Sequence, residues 1–126
     1  MTSHRGNAIG WFQWIVGLNL ALVGLQAVSA GFFLSGYGRA GVIHAATATA
    51  LQLGALVQAA AAIVQWRRRR VPAALASMSV GLLVMLMLQA GLGYRKVFWL
   101  HVPLGVGLFA GLTRHMHTRD TSPRVT

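Results

Sequence analysis

Residues 86–112 read LMLQAGLGYRKVFWLHVPLGVGLFAGL. Two apolar runs flank the polar triplet Tyr94, Arg95, Lys96. Cations at that spot mark a turn at the edge of an apolar medium, not the interior of one continuous helix. About 20 apolar residues in helical form cross a hydrocarbon layer of about 30 Å. The stretch therefore predicts one membrane helix ending, a tight turn, and a second helix beginning. Pro103 is tolerated only near that second start, which puts His101 in the first turn.

Outward from this hairpin the same reading repeats. Apolar blocks at 9–34, 40–66, 71–93 and 97–113 predict four spans, followed by a polar cytoplasmic tail at 114–126. Pro72 falls in the expected first turn of the third block, where a missing N–H costs little. The chain is 56% hydrophobic and 10% charged, against about 25% charged in water-soluble domains. The expectation is an all-α fold, a four-transmembrane-helix bundle in one domain. The first block is too long for a signal-peptide core and reads as a retained span. Cysteine is absent, which removes disulfides, thiolate metal sites, iron–sulfur clusters and covalent haem attachment.

The formal charge is +10, with Asp120 the only acidic residue. The cations sit between apolar blocks and form no stripe, so no nucleic acid partner is expected. They read instead as topology signals. Arg5, Arg67, Arg68, Arg69, Arg70, Arg114, Arg119 and Arg124 fall on one side; Arg39, Arg95 and Lys96 fall on the other. Cations concentrate on the cytoplasmic side. The chain is expected in the cytoplasmic membrane with both termini in the cytoplasm. Trp11, Trp14, Trp66 and Trp99 fit interfacial belts.

The quoted hairpin also has a counterpart. LQAVSAG (25–31) closes the first block and LQAGLG (88–93) closes the third; VIHAATATAL opens the second and WLHVPLGVGL opens the fourth. Each half runs Leu-Gln-Ala, a glycine-rich end, a basic turn, then an apolar residue and histidine. Two repeated helix pairs would form one bundle around an axis normal to the membrane. His44 and His101 would then share a depth near the outer face, on parallel helices placed diagonally across the core.

Two facing imidazoles complete the axial pair of a haem b but only half of a zinc site. Gly24, Gly31, Gly41, Gly54, Gly91, Gly93, Gly105 and Gly107 would let a flat ring approach the backbone. Arg39, Arg95 and Lys96 would meet carboxylate propionates. Gln26 and Gln89 would serve as interhelical partners or as donors behind the ligands. Blander readings run alongside. The histidines and outer cations can be interfacial anchors, and the small residues can be helix-packing surfaces. His115 and His117 in HMH read as surface histidines, and Met85 and Met87 as core or lipid-facing.

The 86–112 segment resembles the third-to-fourth-helix segment of haem A synthases, and the whole is similar to small actinobacterial four-helix membrane proteins built from one such half. In that family each four-helix half carries histidines near the outer ends of its second and fourth helices, facing a b-type haem. The resemblance places these on His44 and His101. The catalytic half carries a glutamate three residues before the first histidine and often an arginine after it. Here those positions are Gly41 and Ala45, and the cysteine pair is missing. The resemblance therefore implies a haem scaffold rather than haem A synthesis.

The leading expectation is a cytochrome b-like membrane protein, an electron carrier or haem holder. Its partners would be the lipid bilayer and a quinone or redox membrane subunit, with homo-oligomerisation open. The alternatives are a cofactor-free accessory or scaffold subunit and, lower, a small transporter. Proton-coupled transport usually needs a carboxylate within a span, and none is present. Hydrolytic triads and phosphate-cradling glycine motifs are absent from the sequence.

Overall fold

The computed structural model describes residues 3–117. It contains four helices: α1 Ser3–Leu34, α2 Gly38–Arg67, α3 Ala73–Tyr94 and α4 Phe98–His117. The four blocks read from the sequence are the four helices, with shifts at the ends. Pro72 lies just outside α3 as its N-cap, at φ −70° and ψ 154°; its ψ is extended rather than helical, and its carbonyl accepts the Leu75 N–H at 3.1 Å. α4 runs on to His117, past the boundary expected at 113. Thr113 bonds back to Phe109 O at 2.8 Å, and nothing helix-breaking follows before 117. The remainder of the tail, 118–126, lies outside the described residues.

Three helix ends share one device. After α1, Gly36 N–H bonds Phe33 O and Tyr37 N–H bonds Phe32 O, both at 3.1 Å. After α2, Arg69 N–H bonds Trp66 O at 2.8 Å and Arg70 N–H bonds Gln65 O at 2.9 Å. After α3, Lys96 N–H bonds Gly93 O at 3.1 Å and Val97 N–H bonds Leu92 O at 3.0 Å. This crossed pair of bonds needs a left-handed residue at its centre. The φ values are 95° at Gly36, 55° at Arg69 and 58° at Lys96.

α1 packs on α2 and α4, and α3 packs on the same two helices. α2 and α4 therefore oppose each other across one diagonal and run parallel, as do α1 and α3 across the other. The α1–α2 and α3–α4 turns lie at one end, here the upper end; Arg67 to Arg70 lie at the lower end.

Gly10–Leu34 of α1, together with α2 and α3, is long and apolar enough to cross a membrane. The expectation of four such helices is met by three. α4, with 20 residues, is the shortest of the four and carries His101 and Pro103 near its start and Arg114 near its end. Large apolar side chains cover the outside: Trp14 is 83% exposed and Val42 72%. Such a surface suits lipid and would be a liability in water.

The fully buried residues lie mostly in the lower two-thirds, including Phe12, Val16, Val23, Leu51, Leu86 and Leu108. A chain of side-chain bonds crosses this apolar core. Asn19 Nδ2 donates to Gln58 Oε1 at 2.7 Å, and Gln58 Nε2 donates to Ser79 Oγ at 3.4 Å. These three residues are at most 1% exposed and tie α1, α2 and α3 together. These bonds offset the lost hydration of the buried amides, although Asn19 Oδ1 itself has no hydrogen-bond partner. Asn19 Oδ1 lies against Gly54, at the position a side chain there would need.

Candidate cofactor site

Above that core the interior changes character. In the upper layer only Ser29 and Ala40 are fully buried, at 4% and 7%. The residues between the helices are small and half-buried: Ala30 on α1, Ala48 on α2, Ala90 and Gly93 on α3, Gly105 on α4. Among them stand His44, the seventh residue of α2, and His101, the fourth of α4. Both imidazoles are half-buried. Their ring centres are 6.2 Å apart and their planes cross at 68°. The two histidines singled out in the sequence meet across the diagonal.

Each ring is held from the neighbouring helix by the same reciprocal arrangement. Gln26 Nε2 donates to His44 O at 2.7 Å, while His44 Nδ1 bonds Gln26 O at 3.1 Å. Gln89 Nε2 donates to His101 O at 2.6 Å, while His101 Nδ1 bonds Gln89 O at 2.9 Å. A carbonyl oxygen can only accept, so Nδ1 carries the proton in both rings. In a neutral imidazole that leaves Nε2 with its lone pair free. This is how metal-ligating histidines are commonly held, with the other nitrogen donating to a carbonyl.

The two surroundings are not identical. Ser29 Oγ lies 3.2 Å from His44 Nδ1 and donates to Gln26 O at 3.1 Å. Gln26 Nε2 also donates to Thr47 Oγ1. The residue three after His101 is Leu104, with no hydroxyl, and Gln89 Oε1 is buried without a hydrogen-bond partner. Glycine shapes the His101 side. A Cβ on Gly93 would stand 2.9 Å from His101 Cε1, and one on Gly105 would stand 2.9 Å from Gln89 Nε2. Larger residues at either position would push the ring or its amide partner out of place.

Arg39, Arg95 and Lys96 are exposed at the upper end. Arg39 is in the first turn of α2; Arg95 caps α3 and Lys96 follows it. Arg95 also rims an apolar hollow on the exposed side of α3 with Leu88, Gly91 and Leu92. The described residues contain no carboxylate to neutralise the three. They also contain no cluster of three or more His, Cys, Asp or Glu suited to a metal ion, so a zinc site of protein ligands alone is not formed. His117 closes α4.

Sequence reading missed Ser29 and Thr47 beside His44, and Asn19, Gln58 and Ser79 below. A search for polar residues inside apolar blocks would have found Asn19 and Gln58. Comparison with family models, with curated proteins and with solved structures finds no match for this chain.

Proposed function

We propose that this protein holds one haem b between His44 and His101, in a cytochrome b-like membrane bundle made from two repeated helix pairs. The observation that carries the reading is the imidazole pair itself. The two ring centres lie 6.2 Å apart, close enough for the imidazoles to share one metal ion. The free Nε2 atoms and the small residues of the upper layer support the same reading. The matching Gln–His bonds in the two halves support the repeat.

In this reading α4 is the fourth span, with both termini in the cytoplasm and the haem near the outer face. Arg39, Arg95 and Lys96, exposed at the same end as the histidines, would be the cations available to the haem's propionates. Bound between two nitrogens, the haem would supply one-electron chemistry, and its iron would keep no open position. That favours electron transfer or haem holding. A single haem near one face needs a second carrier to complete passage across the bilayer, such as a quinone or another membrane subunit. Haem A synthesis does not fit. Gly41 stands where the catalytic half of the synthases carries glutamate, and the Phe33 ring fills that space, with Cδ2 2.8 Å from where a Cβ would be.

The test is an absorption spectrum of the detergent-purified protein, oxidised and reduced, beside His44→Ala and His101→Ala. The expected result is a low-spin b-type spectrum in the parent and its loss in each variant. A spectrum retained by either variant removes that histidine from the site. A colourless parent that takes up no added haem favours the cofactor-free scaffold.

A further inference from the structure

The lower end carries a second, unrelated concentration of charge. Arg67, Arg68, Arg69 and Arg70 are all exposed, and no acidic residue lies among the described residues. Arg69 holds the left-handed position of the turn at φ 55°, which disfavours any residue with a Cβ. α1 ends in the same motif with Gly36 there. An arginine thus occupies a position where glycine would be easier, as Lys96 does after α3. Its turn opens a hollow of about 390 Å³ lined by Trp66, Arg69, Arg70, Val71, Pro72 and Ala73. Arg67 and Arg68, one step back, do not line it.

The lining has two chemistries. Two guanidinium groups offer planar donors suited to phosphate oxygens. Trp66, Val71 and Pro72 offer apolar contact beside them. The hollow lies between the ends of α2 and α3, both long and apolar enough to cross a membrane, so it falls at headgroup height. Basic pockets between membrane helices are suited to anionic headgroups.

We propose that this hollow binds one anionic phospholipid, with its phosphate on Arg69 and Arg70 and the start of its acyl chains along Val71 and Pro72. The site is independent of the upper histidines. The structural alternative is that the four arginines act only as a diffuse charge that sets topology and favours the end of α2. The two differ in whether position within the run matters.

The test is native mass spectrometry of the full chain in neutral detergent, titrated with phosphatidylglycerol, phosphatidylcholine or inorganic phosphate. The parent is expected to bind phosphatidylglycerol selectively and inorganic phosphate weakly. Arg70→Gln should cost about fivefold, and Arg69→Gly with Arg70→Gln about thirtyfold, at one basic contact per arginine. Arg67→Gln with Arg68→Gln removes the same charge and should cost less than about twofold. Arg69→Gly relieves the left-handed backbone and should melt no lower than the parent. Equal losses from the two double variants would overturn the proposal, as would equal binding of phosphatidylcholine or of free phosphate. Arg70→Gln reads out the site without altering the turn residue.

Discussion

Replacing Gly93 with alanine tests the upper site with one methyl group. The new Cβ would begin 2.9 Å from His101 Cε1 and 3.1 Å from Nδ1, where ordinary contact starts at 3.4 Å. The ring must therefore retreat by about 0.5 Å. That is a quarter of an imidazole–metal bond of about 2.0 Å, too much for the bond to absorb. The retreat also strains the bond from Nδ1 to Gln89 O, worth about 1 kcal/mol net. Gly93 is the second-last residue of α3, so alanine gains less there than the about 1 kcal/mol it gains over glycine in a helix interior and offsets that loss only in part. The fold should thus lose little stability while the ligand geometry fails. The assay is thermal melting by circular dichroism alongside haem titration followed by absorption. Gly93→Ala should melt within a few degrees of the parent, bind haem at least about tenfold more weakly, and lose the low-spin spectrum. Gly91→Ala is the control: nothing lies within 4 Å of its Cβ, so it should gain stability with an unchanged spectrum. A Gly93→Ala protein with the parent's haem affinity and spectrum would refute the reasoning.

Other outcomes follow from the same geometry. Lys96→Gly removes a Cβ from a left-handed residue and should stabilise the fold by about 1 kcal/mol; haem should nevertheless dissociate faster, measured by transfer to an apo-globin acceptor. Asn19→Leu leaves the buried Gln58 Oε1 without its donor and should cost about 1–2 kcal/mol in detergent unfolding. Gly54→Ala places a methyl on Asn19 Oδ1 and should be equally destabilising, whereas added to Asn19→Ala it should cost far less, a non-additivity that a double-mutant cycle would show. Ser29→Ala should leave haem bound but shift its midpoint potential, because one of the two groups at His44 Nδ1 is lost; redox titration reads this.

The sequence was most informative where chemistry is sparse. Among long apolar runs, Tyr94–Arg95–Lys96 and the four arginines can only be ends, so the helices were legible to within a few residues except at the two outer limits. The pairing of His44 with His101 was legible through the ordered Gln…His spacing in both halves. Which atoms bond was not. Gln26 and Gln89 were expected as interhelical partners or as donors behind the ligands; their amides do donate across to the His44 and His101 carbonyls, but that their backbone carbonyls take the imidazole protons is not revealed by side-chain identity. Ser29 and Thr47 escaped notice because small hydroxyls satisfy themselves on their own helix and leave no periodic trace. α4 was expected as a fourth span, short and flanked by basic residues, but among the described residues only α1, α2 and α3 are long and apolar enough to cross a membrane. The left-handed residues at Arg69 and Lys96 were illegible because glycine is the usual signal for that geometry.

The bonded chain from Asn19 through Gln58 to Ser79 has a bearing on biogenesis. It joins the three helices that are long and apolar enough to cross a membrane, whereas α4 contributes His101 and leans on Gln89 of α3. A nascent chain can thus settle a triad of early segments before its last segment is released. That late arrival would close the histidine pair as the concluding act of assembly, so the upper pair would exist only once the whole bundle is complete.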